Sequence, residues 1–278
     1  MLALCGCAQW KSSTELEDRP PTEASRSSRG LDSQIPDDAS ILEISFLSFQ
    51  DVQRIAGDQP PLWDSMDETV IAGPERGLLL ANGLRIGRLM AVDSQMWQGE
   101  IAEEPSQRLL REASVLSDFH SHRRRLTCRS GQVYTLAVRR PSEGEQSLLV
   151  RNAEGSLEGR SLQNPQYMFR LRCSAHGSGE QWIELVPEIH HGSMRQNFVA
   201  NQSLAIRVDY SREQWTIDDL RSAVPLSVGQ AVLVVPAEEE RGLGEQMLIG
   251  RRADQSEERI ALVIQLTRGP LQPIAATK

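Results

Sequence analysis

The feature that most constrains the fold of this chain is a two-residue alternation of apolar and polar side chains between residues 122 and 267. This period is typical of β strands that bury one face. Short segments rich in Gly, Asn and Ser separate the alternating runs, and Ser130-Gly131 is typical of a hairpin turn. Such a pattern predicts an antiparallel β sandwich or an open barrel. The predicted strands are His122–Arg129, Gln132–Val138, Ser147–Arg151, Tyr167–Ala175, Gln181–His190, Leu204–Tyr210, Gln230–Val235, Gln246–Ile249 and Arg259–Thr267.

Residues 41–118 show a different pattern, in which short strands and helices alternate. Ile41–Phe49 and Leu84–Leu89 have the length and residue types of strands. Pro74–Gly83 begins with a proline suited to the first helical turn and ends with Asn-Gly, while Pro105–Asp118 repeats apolar residues at helical spacing. The segment therefore predicts a small α/β unit. Two strands cannot bury both faces of a sheet alone, so we expect this unit to dock onto the β-rich part.

Length and charge exclude several classes of protein. The chain has 278 residues, 39% of them hydrophobic, and a formal net charge of −8. It is long enough to bury a substantial core. No apolar run approaches the ~20 residues that a membrane-spanning helix needs. Nucleic-acid binding depends mainly on Lys and Arg that neutralise phosphates, so an acidic chain disfavours a nucleic-acid partner.

The extreme N-terminus carries the most specific motif in the sequence, Leu4-Cys5-Gly6-Cys7. It resembles the lipobox that ends the signal peptide of bacterial lipoproteins, an apolar residue and two small residues before the cysteine that receives the lipid. The resemblance implies that Cys7 is the lipidated residue and that the protein is exported and anchored in the cell envelope. Ala8 at the following position implies an outer-membrane or periplasmic location.

The segment after this motif is polar and rich in Ser, Thr, Pro, Asp, Glu and Arg. It has almost no apolar residue to bury, so it cannot offset the entropy of ordering, and we expect it to be a disordered tether. A plain disordered tail without an anchor is the alternative interpretation. The predicted domain plan is a signal-peptide remnant at 1–7, the tether at 8–40, the α/β unit at 41–118 and a β-rich domain at 119–278. The fold class is therefore α+β, mainly β.

Four of the five histidines form two close pairs, His120 with His122 and His190 with His191. Convergent histidines bind zinc, but a structural site needs four nitrogen or sulfur ligands and a catalytic site needs three. Neither pair matches a known ligand spacing. These residues are thus weak candidates for metal ligands, and the sequence predicts no metal site and no cofactor.

Cys128 and Cys173 lie in the part of the chain that we expect to fold. In an oxidising compartment outside the cytoplasm they could form one disulfide. The alternative is that each is a separate small buried hydrophobe, since Cys173 belongs to the apolar face of a predicted strand. The sequence favours separate residues, because nothing in it indicates that the two Cα atoms come within bridging distance.

No motif for catalysis stands out from ordinary turns and charged loops. Gly177-Ser178-Gly179 lacks the longer nucleophile-elbow pattern, and Gly242-Leu243-Gly244 lacks the third glycine and the lysine of phosphate-binding loops. The neighbouring carboxylates Asp218-Asp219 and Glu238-Glu239-Glu240 indicate solvated charge, because functional carboxylates must converge in space. We therefore predict no catalytic residue and no enzymatic activity.

The predicted strand at Tyr167–Ala175 carries two arginines on its polar face, Arg170 and Arg172. Glu180 and Glu184 follow across the next turn. Opposite charges on neighbouring strands commonly pair, so we expect cross-strand ion pairs at this place.

The order of features from Tyr167 to Thr267 is similar to the β domain of secretins, the ring-forming gates of bacterial secretion systems. The resemblance lies in paired strands around Pro187-Glu188, the Gly229-Gln230 turn before an apolar strand, and a terminal strand near Arg259–Gln265. The chain departs from that family where Pro236-Ala237-Glu238 replaces a Gly-Gly-Leu element. The resemblance implies an envelope-assembly or secretion component, without identifying a functional residue.

These observations predict an exported, lipid-anchored envelope protein with a binding or scaffolding role. Its expected partners are the membrane, through a lipid on Cys7, and an envelope protein. A secretin-related component of secretion or envelope assembly is the alternative. A metal-dependent hydrolase is a second alternative, and it requires the histidine pairs to converge.

Overall fold

The computed structural model describes residues 36, 39–49, 62–90, 124–176, 180–200, 206–238, 242–251 and 256–270. Within these residues thirteen β strands and two α-helices are present, and strands account for most of the structure. The prediction of an α+β fold that is mainly β is confirmed. Neither of the two described α-helices has the length and apolar character needed to span a bilayer.

The helices and strands are numbered in chain order. The helices are α1 (Gly73–Ala81) and α2 (Gly242–Leu248). The strands are β1 (Ala39–Ser48), β2 (Leu84–Leu89), β3 (Arg124–Arg129), β4 (Val133–Ala137), β5 (Glu145–Arg151), β6 (Leu157–Gln163), β7 (Gln166–His176), β8 (Glu180–Ala200), β9 (Ile206–Thr216), β10 (Ser222–Leu226), β11 (Ala231–Pro236), β12 (Ile249–Arg251) and β13 (Glu257–Arg268). Predicted and observed bounds agree closely for most of the expected strands and for α1.

The strands form two antiparallel sheets and a separate hairpin. Sheet 1 has the order β2-β11-β13-β1-β3, with β12 paired to one end of β13. Sheet 2 has the order β10-β8-β7-β4, and β9 pairs with the distal part of β8. The hairpin consists of β5 and β6. Within the described residues neither sheet closes on itself, so the arrangement is a sandwich.

A single apolar core lies between the two sheets. Leu42 and Ile44 from sheet 1 belong to the same buried cluster as Phe169, Leu171 and Ile183 from sheet 2. These residues recur at every second position of their strands, which points one face of each strand inward. The alternation in the sequence therefore corresponds to burial between two stacked sheets.

The strands of the first predicted unit do not form a sheet of their own. β1 pairs with β13 and β3, and β2 pairs with β11. The boundary predicted between residues 118 and 119 therefore does not separate two sheets, because strands on both sides of it share sheet 1. The predicted helix at Pro105–Asp118 lies outside the described residues.

The predicted hairpin around Ser130-Gly131 is wrong in its pairing, although both strands exist. β3 pairs with β1 in sheet 1, whereas β4 pairs with β7 in sheet 2. Both strands bury residues in the core between the sheets, Cys128 from β3 and Leu136 from β4. The turn carries the chain from one layer to the other, so the two strands end up in opposite layers.

The strand predicted at Gln246–Ile249 is mostly helical. Its first three residues belong to α2, and only Ile249 lies in a strand, β12. Leu243, Met247 and Leu248 are buried together, and their spacing of four and five residues fits one face of a helix. A short apolar run with this spacing does not distinguish a strand from a helix by itself.

Candidate functional site

The most distinctive feature of the fold is a two-stranded arm that extends from sheet 2. β7 pairs with β8 only as far as Gln166 opposite His190. Beyond that point β8 pairs with β9 alone among the described strands, up to Ala200 opposite Ile206. We call residues 191–200 of β8 and 206–213 of β9 the β8–β9 arm. The eight residues of β9, at about 3.3 Å each, give the arm a length of ~26 Å, because residues 192–194 of β8 lie opposite Arg212 alone.

A bulge marks the base of the arm. The register shifts between His191 and Arg195, and Gly192 has a positive φ of 76° that favours glycine. The Nε of Arg212 donates a hydrogen bond of 3.0 Å to the Gly192 carbonyl, and its guanidinium also donates to the Asn164 carbonyl. The bulge is therefore fixed by a side chain from β9 that also bridges to the turn before β7.

Residues 193–196 of the arm have exposed side chains. Met194 is 64% exposed, which is the largest value among the exposed large hydrophobic residues of the described chain. Farther along, the register places Phe198 opposite Val208 and Ala200 opposite Ile206. Two directly opposed pairs of apolar residue types thus occur near the end of the arm, while the other pairs include polar or charged residue types.

A polar cluster on β8 lies just before the arm. The His190 Nε2 is 2.5 Å from Glu188 Oε1, and the Thr216 hydroxyl donates to Glu188 Oε2 at 3.3 Å. The Glu188 side chain is only 7% exposed. A buried carboxylate is costly unless it is paired, and these two neighbours satisfy both of its oxygens.

His191 takes part in a different cluster from His190. Its Nδ1 lies 3.8 Å from Glu213 Oε2, and Glu213 also pairs with Arg195. Burial lowers the pKa of His191, with Glu213 opposing the shift and Arg160 and other cations adding to it. His190 contacts a residue two positions away, whereas His191 contacts the residue opposite on β9, so the two imidazoles serve separate networks.

The histidines do not gather into a metal site in the part of the chain that the structure describes. No group of three or more His, Cys, Asp or Glu residues suited to a metal ion occurs there. His120 and His122 lie outside the described residues. His190 and His191 are each engaged with a glutamate.

The structure brings Cys128 and Cys173 together. Cys128 on β3 and Cys173 on β7 are both fully buried in the core between the sheets and both are free thiols. The neighbouring Cys128 thiol, together with burial, raises the pKa of Cys173. Both cysteines are thus buried free thiols, as the sequence favoured, and a disulfide between them stays a prediction.

The arginines of the predicted polar face form an ion-pair network rather than simple cross-strand pairs. Arg170 pairs with Asp218 at 3.0 Å, and Arg221 pairs with Asp218 at 2.5 Å and with Glu184 at 2.6 Å. Arg172 and Glu184 are opposite in register, but the partner of Glu184 in this network is Arg221. Asp218 therefore connects two arginines while its side chain remains 59% exposed, so it is still a solvated carboxylate.

The glycines of Gly242-Leu243-Gly244 have a packing role. The Gly244 N–H donates a hydrogen bond of 2.9 Å to the Asn82 carbonyl. A Cβ on Gly244 would lie 1.8 Å from the Gly83 carbonyl oxygen. Glycine is required there so that α2 can contact the end of α1, and no phosphate-binding loop is formed. Gly177-Ser178-Gly179 lies outside the described residues.

A polar cleft of about 560 Å³ lies between α2, β12 and Arg139. Arg139 donates to the carbonyls of Gln246 and Ile249, at 3.0 and 3.1 Å. The remaining charged lining residues are Glu245, Arg251 and Glu257, so the cleft has balanced charge. In this position Arg139 satisfies the carbonyl groups where α2 passes into β12, which is a structural role.

The arm is the main functional candidate that sequence reasoning missed. The predicted strand ended at His190, because His191-Gly192-Ser193 has the composition of a break. The alternation of Ile206, Val208 and Tyr210 was the available signal for a long partner strand. Cys7 lies outside the described residues. No family model matches this chain, and no curated protein or solved structure matches it at a significant level.

Proposed function

We propose that this chain is an exported cell-envelope protein, anchored by a lipid on Cys7, that binds another protein through the β8–β9 arm. The observation that carries this proposal is that β8, paired with β9, continues for ten residues beyond its last pairing with β7. A binding or scaffolding role fits this geometry better than catalysis, since the described polar clusters each satisfy a structural need.

An isolated two-stranded ribbon is marginally stable in water, and an unpaired strand edge is a template for another strand. Along residues 191–200 of β8, none of the described strands pairs on the side that β7 occupies nearer the base. We propose that an extended segment of a partner protein adds to this edge. Main-chain hydrogen bonds would supply affinity, and alternate side chains such as exposed Met194 would supply specificity.

The polar segment at residues 8–40 suits a tether between a lipid and this domain. A lipid on Cys7 would hold the protein at the membrane surface without a spanning helix. Such a tether leaves the arm free to reach a partner in the envelope. No nucleic-acid partner and no cofactor are part of this proposal.

Labelling with a radioactive or clickable fatty acid in a bacterial host tests the anchor. We expect incorporation into the wild type and the Cys5→Ser variant, and loss of both label and membrane fractionation in Cys7→Ser. Cys5→Ser is the matched control, because it removes a neighbouring thiol and leaves the candidate acceptor in place. An unmodified Met1 in the mature protein, found by mass spectrometry, would contradict the lipid anchor.

Photocrosslinking in cells tests the arm. A photoreactive amino acid replaces Met194 in one variant and Val228, which is 57% exposed in a turn elsewhere, in the other. We expect a discrete crosslinked partner from position 194 and none from position 228. A further variant with Arg195→Pro, which places a residue without an N–H in the arm, should lose the crosslink. Equal labelling from both positions would contradict a role for the arm.

A secretin-related component is a second candidate, suggested by the resemblance of the sequence from Tyr167 to Thr267 to the secretin β domain. Such a component would assemble into large symmetric rings. Light scattering after size-exclusion chromatography in mild detergent separates the two candidates. Products at multiples of the chain mass would support a ring, whereas a monomer would eliminate it.

A further inference from the structure

The cysteine pair lies where one bond would join the two layers of the sandwich. Cys128 belongs to β3 in sheet 1 and Cys173 to β7 in sheet 2, and both are fully buried in the same apolar cluster between the sheets. The Gly131 N–H donates a 2.8 Å hydrogen bond to the Cys173 carbonyl, which holds the end of β3 against β7. Among the described strands, β3 pairs with β1, whereas β7 pairs with β4 and β8. A disulfide between Cys128 and Cys173 would therefore join the two layers covalently.

The placement of the two cysteines favours a disulfide. Both belong to the same buried cluster between the sheets, and a disulfide requires its two Cα atoms to lie within about 7 Å of each other. The cysteines are 45 positions apart in the sequence, and closing a loop of that length removes substantial entropy from the unfolded chain. Both sulfurs are fully buried, so the bond would form inside an apolar core.

We propose that Cys128 and Cys173 form an inter-sheet disulfide when the chain folds under oxidising conditions, and that the native fold then preserves whichever redox state it was formed in. The oxidant is a small or protein disulfide. One cysteine thiolate attacks a sulfur of that disulfide, forming a mixed disulfide and releasing one thiolate. The second cysteine then attacks the mixed disulfide and releases the other thiolate. Two protein S–H bonds break, one S–S bond forms, and the two released thiolates take up the two protons.

The native state resists this exchange in both directions. The attacking species is a thiolate, and the neighbouring Cys128 thiol together with burial raises the pKa of Cys173. Both sulfurs have zero solvent exposure, so a reductant or oxidant in solution cannot approach them in line. Exchange therefore requires an open or unfolded chain, and the redox state records the compartment in which the chain folded.

This inference goes beyond the proposed function and does not depend on Cys7 or on the arm. It is tested by refolding the full chain from denaturant, either in a mixture of oxidised and reduced glutathione or in reduced glutathione alone. Trypsin separates the cysteines into three peptides, Met1–Lys11 with Cys5 and Cys7, Leu126–Arg129 with Cys128, and Cys173–Arg195. Mass spectrometry without reduction then shows which peptides are linked.

We expect Leu126–Arg129 linked to Cys173–Arg195 in the oxidising refold and both peptides free in the reducing refold. Two free peptides after oxidising refolding would overturn the disulfide. The Cys173→Ser variant refolded in the same way should give free Leu126–Arg129, and the result for the wild type does not depend on whether this variant folds.

The second half of the proposal is tested on protein that is already folded. Reduced native protein is incubated with oxidised glutathione, and oxidised native protein with reduced glutathione, and both are mapped as before. We expect the conversion to be at least about 10-fold slower than for the same chain in denaturant. Equal rates in the native and denatured states would overturn the preservation of the redox state. The oxidised form should also melt about 5–10 °C higher than the reduced form, and a lower melting temperature would overturn the stapling role.

Discussion

The outer faces of the two sheets of the sandwich differ in burial and in charge. In sheet 1, every residue of β11 is buried, and so is every residue of β13 from Ile260 to Leu266. In sheet 2, the outer positions of β7 and β8 carry Arg170, Glu184 and other charged residues that form ion pairs. Sheet 1 therefore has apolar contacts on both sides, whereas sheet 2 has an apolar inner side and a largely charged outer side.

The second apolar layer of sheet 1 has identifiable contacts. Leu233 and Val263, on the outer face, pack in a cluster with Met66 and Leu89, and Phe49 and Trp63 pack against it. The Phe49 and Trp63 rings are stacked with centroids 4.0 Å apart. Antiparallel sheets commonly leave one face in water, as sheet 2 does. The difference shows that sheet 1 is a central layer, and it predicts that equal substitutions have unequal costs in the two sheets.

The largest effect should come from a charge on the outer face of sheet 1. Leu233→Asp buries an unpaired carboxylate in an apolar cluster, and we expect it to cost more than about 4 kcal/mol, enough to prevent stable folding. The matched control is Thr135→Asp, on the exposed outer face of β4 and opposite Arg170, with an expected change within about 0.5 kcal/mol. Urea unfolding followed by circular dichroism measures both variants.

If Leu233→Asp does not fold, Leu233→Ala still measures how much the outer face of sheet 1 contributes to stability. Removal of the buried side chain should cost about 2–5 kcal/mol, because it leaves a cavity in the outer cluster. A cost below 1 kcal/mol at Leu233, similar to that at Thr135, would mean that the outer face of sheet 1 is no more important than that of sheet 2.

The next effect concerns the close approach of a loop to the outer face of sheet 1. A Cβ on Gly87 would lie 2.8 Å from the Asp67 carbonyl oxygen and 2.5 Å from Met66 Cγ. Asp67 also exchanges backbone hydrogen bonds with Arg88, so it cannot move away freely. We expect Gly87→Ala to cost about 1–3 kcal/mol, measured by thermal and urea unfolding.

Gly159 on β6 is the matched control for Gly87. A Cβ there would meet only the end of the exposed Leu149 side chain, which can change rotamer. Gly159→Ala should therefore be within about 0.5 kcal/mol of the wild type. If both alanine variants lose the same stability, the loss reflects the strand backbone in general rather than the covering of sheet 1.

The difference between the outer faces of the two sheets is visible in the sequence, because the strands follow two different hydrophobic patterns. The run Phe169–Cys173 alternates strictly, and its odd residues are buried, as predicted. Ala231–Pro236 and Ile260–Leu266 are nearly continuous apolar runs, which is typical of strands covered on both faces. The fold class and most of the strands were therefore predictable from local pattern, whereas β6, β10 and the helix α2 were not.

The sequence did not predict which strands pair with each other. The turn at Ser130-Gly131 has the composition of a hairpin turn, yet β3 pairs with β1 and β4 pairs with β7, both of which are distant in the sequence. The same choice brings Cys128 beside Cys173, a contact between residues 45 positions apart that no local pattern encodes. The arm was missed for a local reason, since Gly192 has the composition of a break but forms a bulge that continues the strand.

A smaller effect is expected at the junction between sheet 2 and the arm. Burial lowers the pKa of His191 below its usual 6.5, Glu213 opposes this, and Arg160, Arg212 and His190 add to it. The unfolded chain then binds a proton at a higher pH than the folded chain. Stability contributed by neutral His191 is thus present above pH 6.5 and is lost as the pH falls from 6.5 toward the folded pKa.

His191→Gln should therefore reduce the pH dependence of the free energy of unfolding between pH 7.5 and pH 5.5. Urea unfolding at the two pH values measures the difference for the wild type and the variant. The wild type should lose more stability on acidification than His191→Gln. An identical loss in the two proteins would show that His191 titrates alike in the folded and unfolded states.

The smallest effect should come from the ion pairs, and it again differs between the sheets. Burial lowers the pKa of Arg221, but its hydrogen bonds and ion pairs with Glu184 and Asp218 outweigh this and raise it. The Arg221 side chain is 41% exposed, so water and salt screen these contacts. We expect Arg221→Gln to cost at most about 1 kcal/mol at low ionic strength and almost nothing in 1 M NaCl.

Arg85 on β2 gives the corresponding pair in sheet 1. Its Nε and Nη2 both donate to Glu68 Oε1, at 2.8 and 2.6 Å, and its side chain is only 22% exposed. Because two hydrogen bonds to a half-buried carboxylate are screened less, Arg85→Gln should keep more than half of its cost in 1 M NaCl. Urea unfolding of both variants at low and high salt tests this. If 1 M NaCl reduces the stability cost of both variants by the same fraction, the two ion pairs are screened alike. The difference between the sheets would then lie only in their apolar packing.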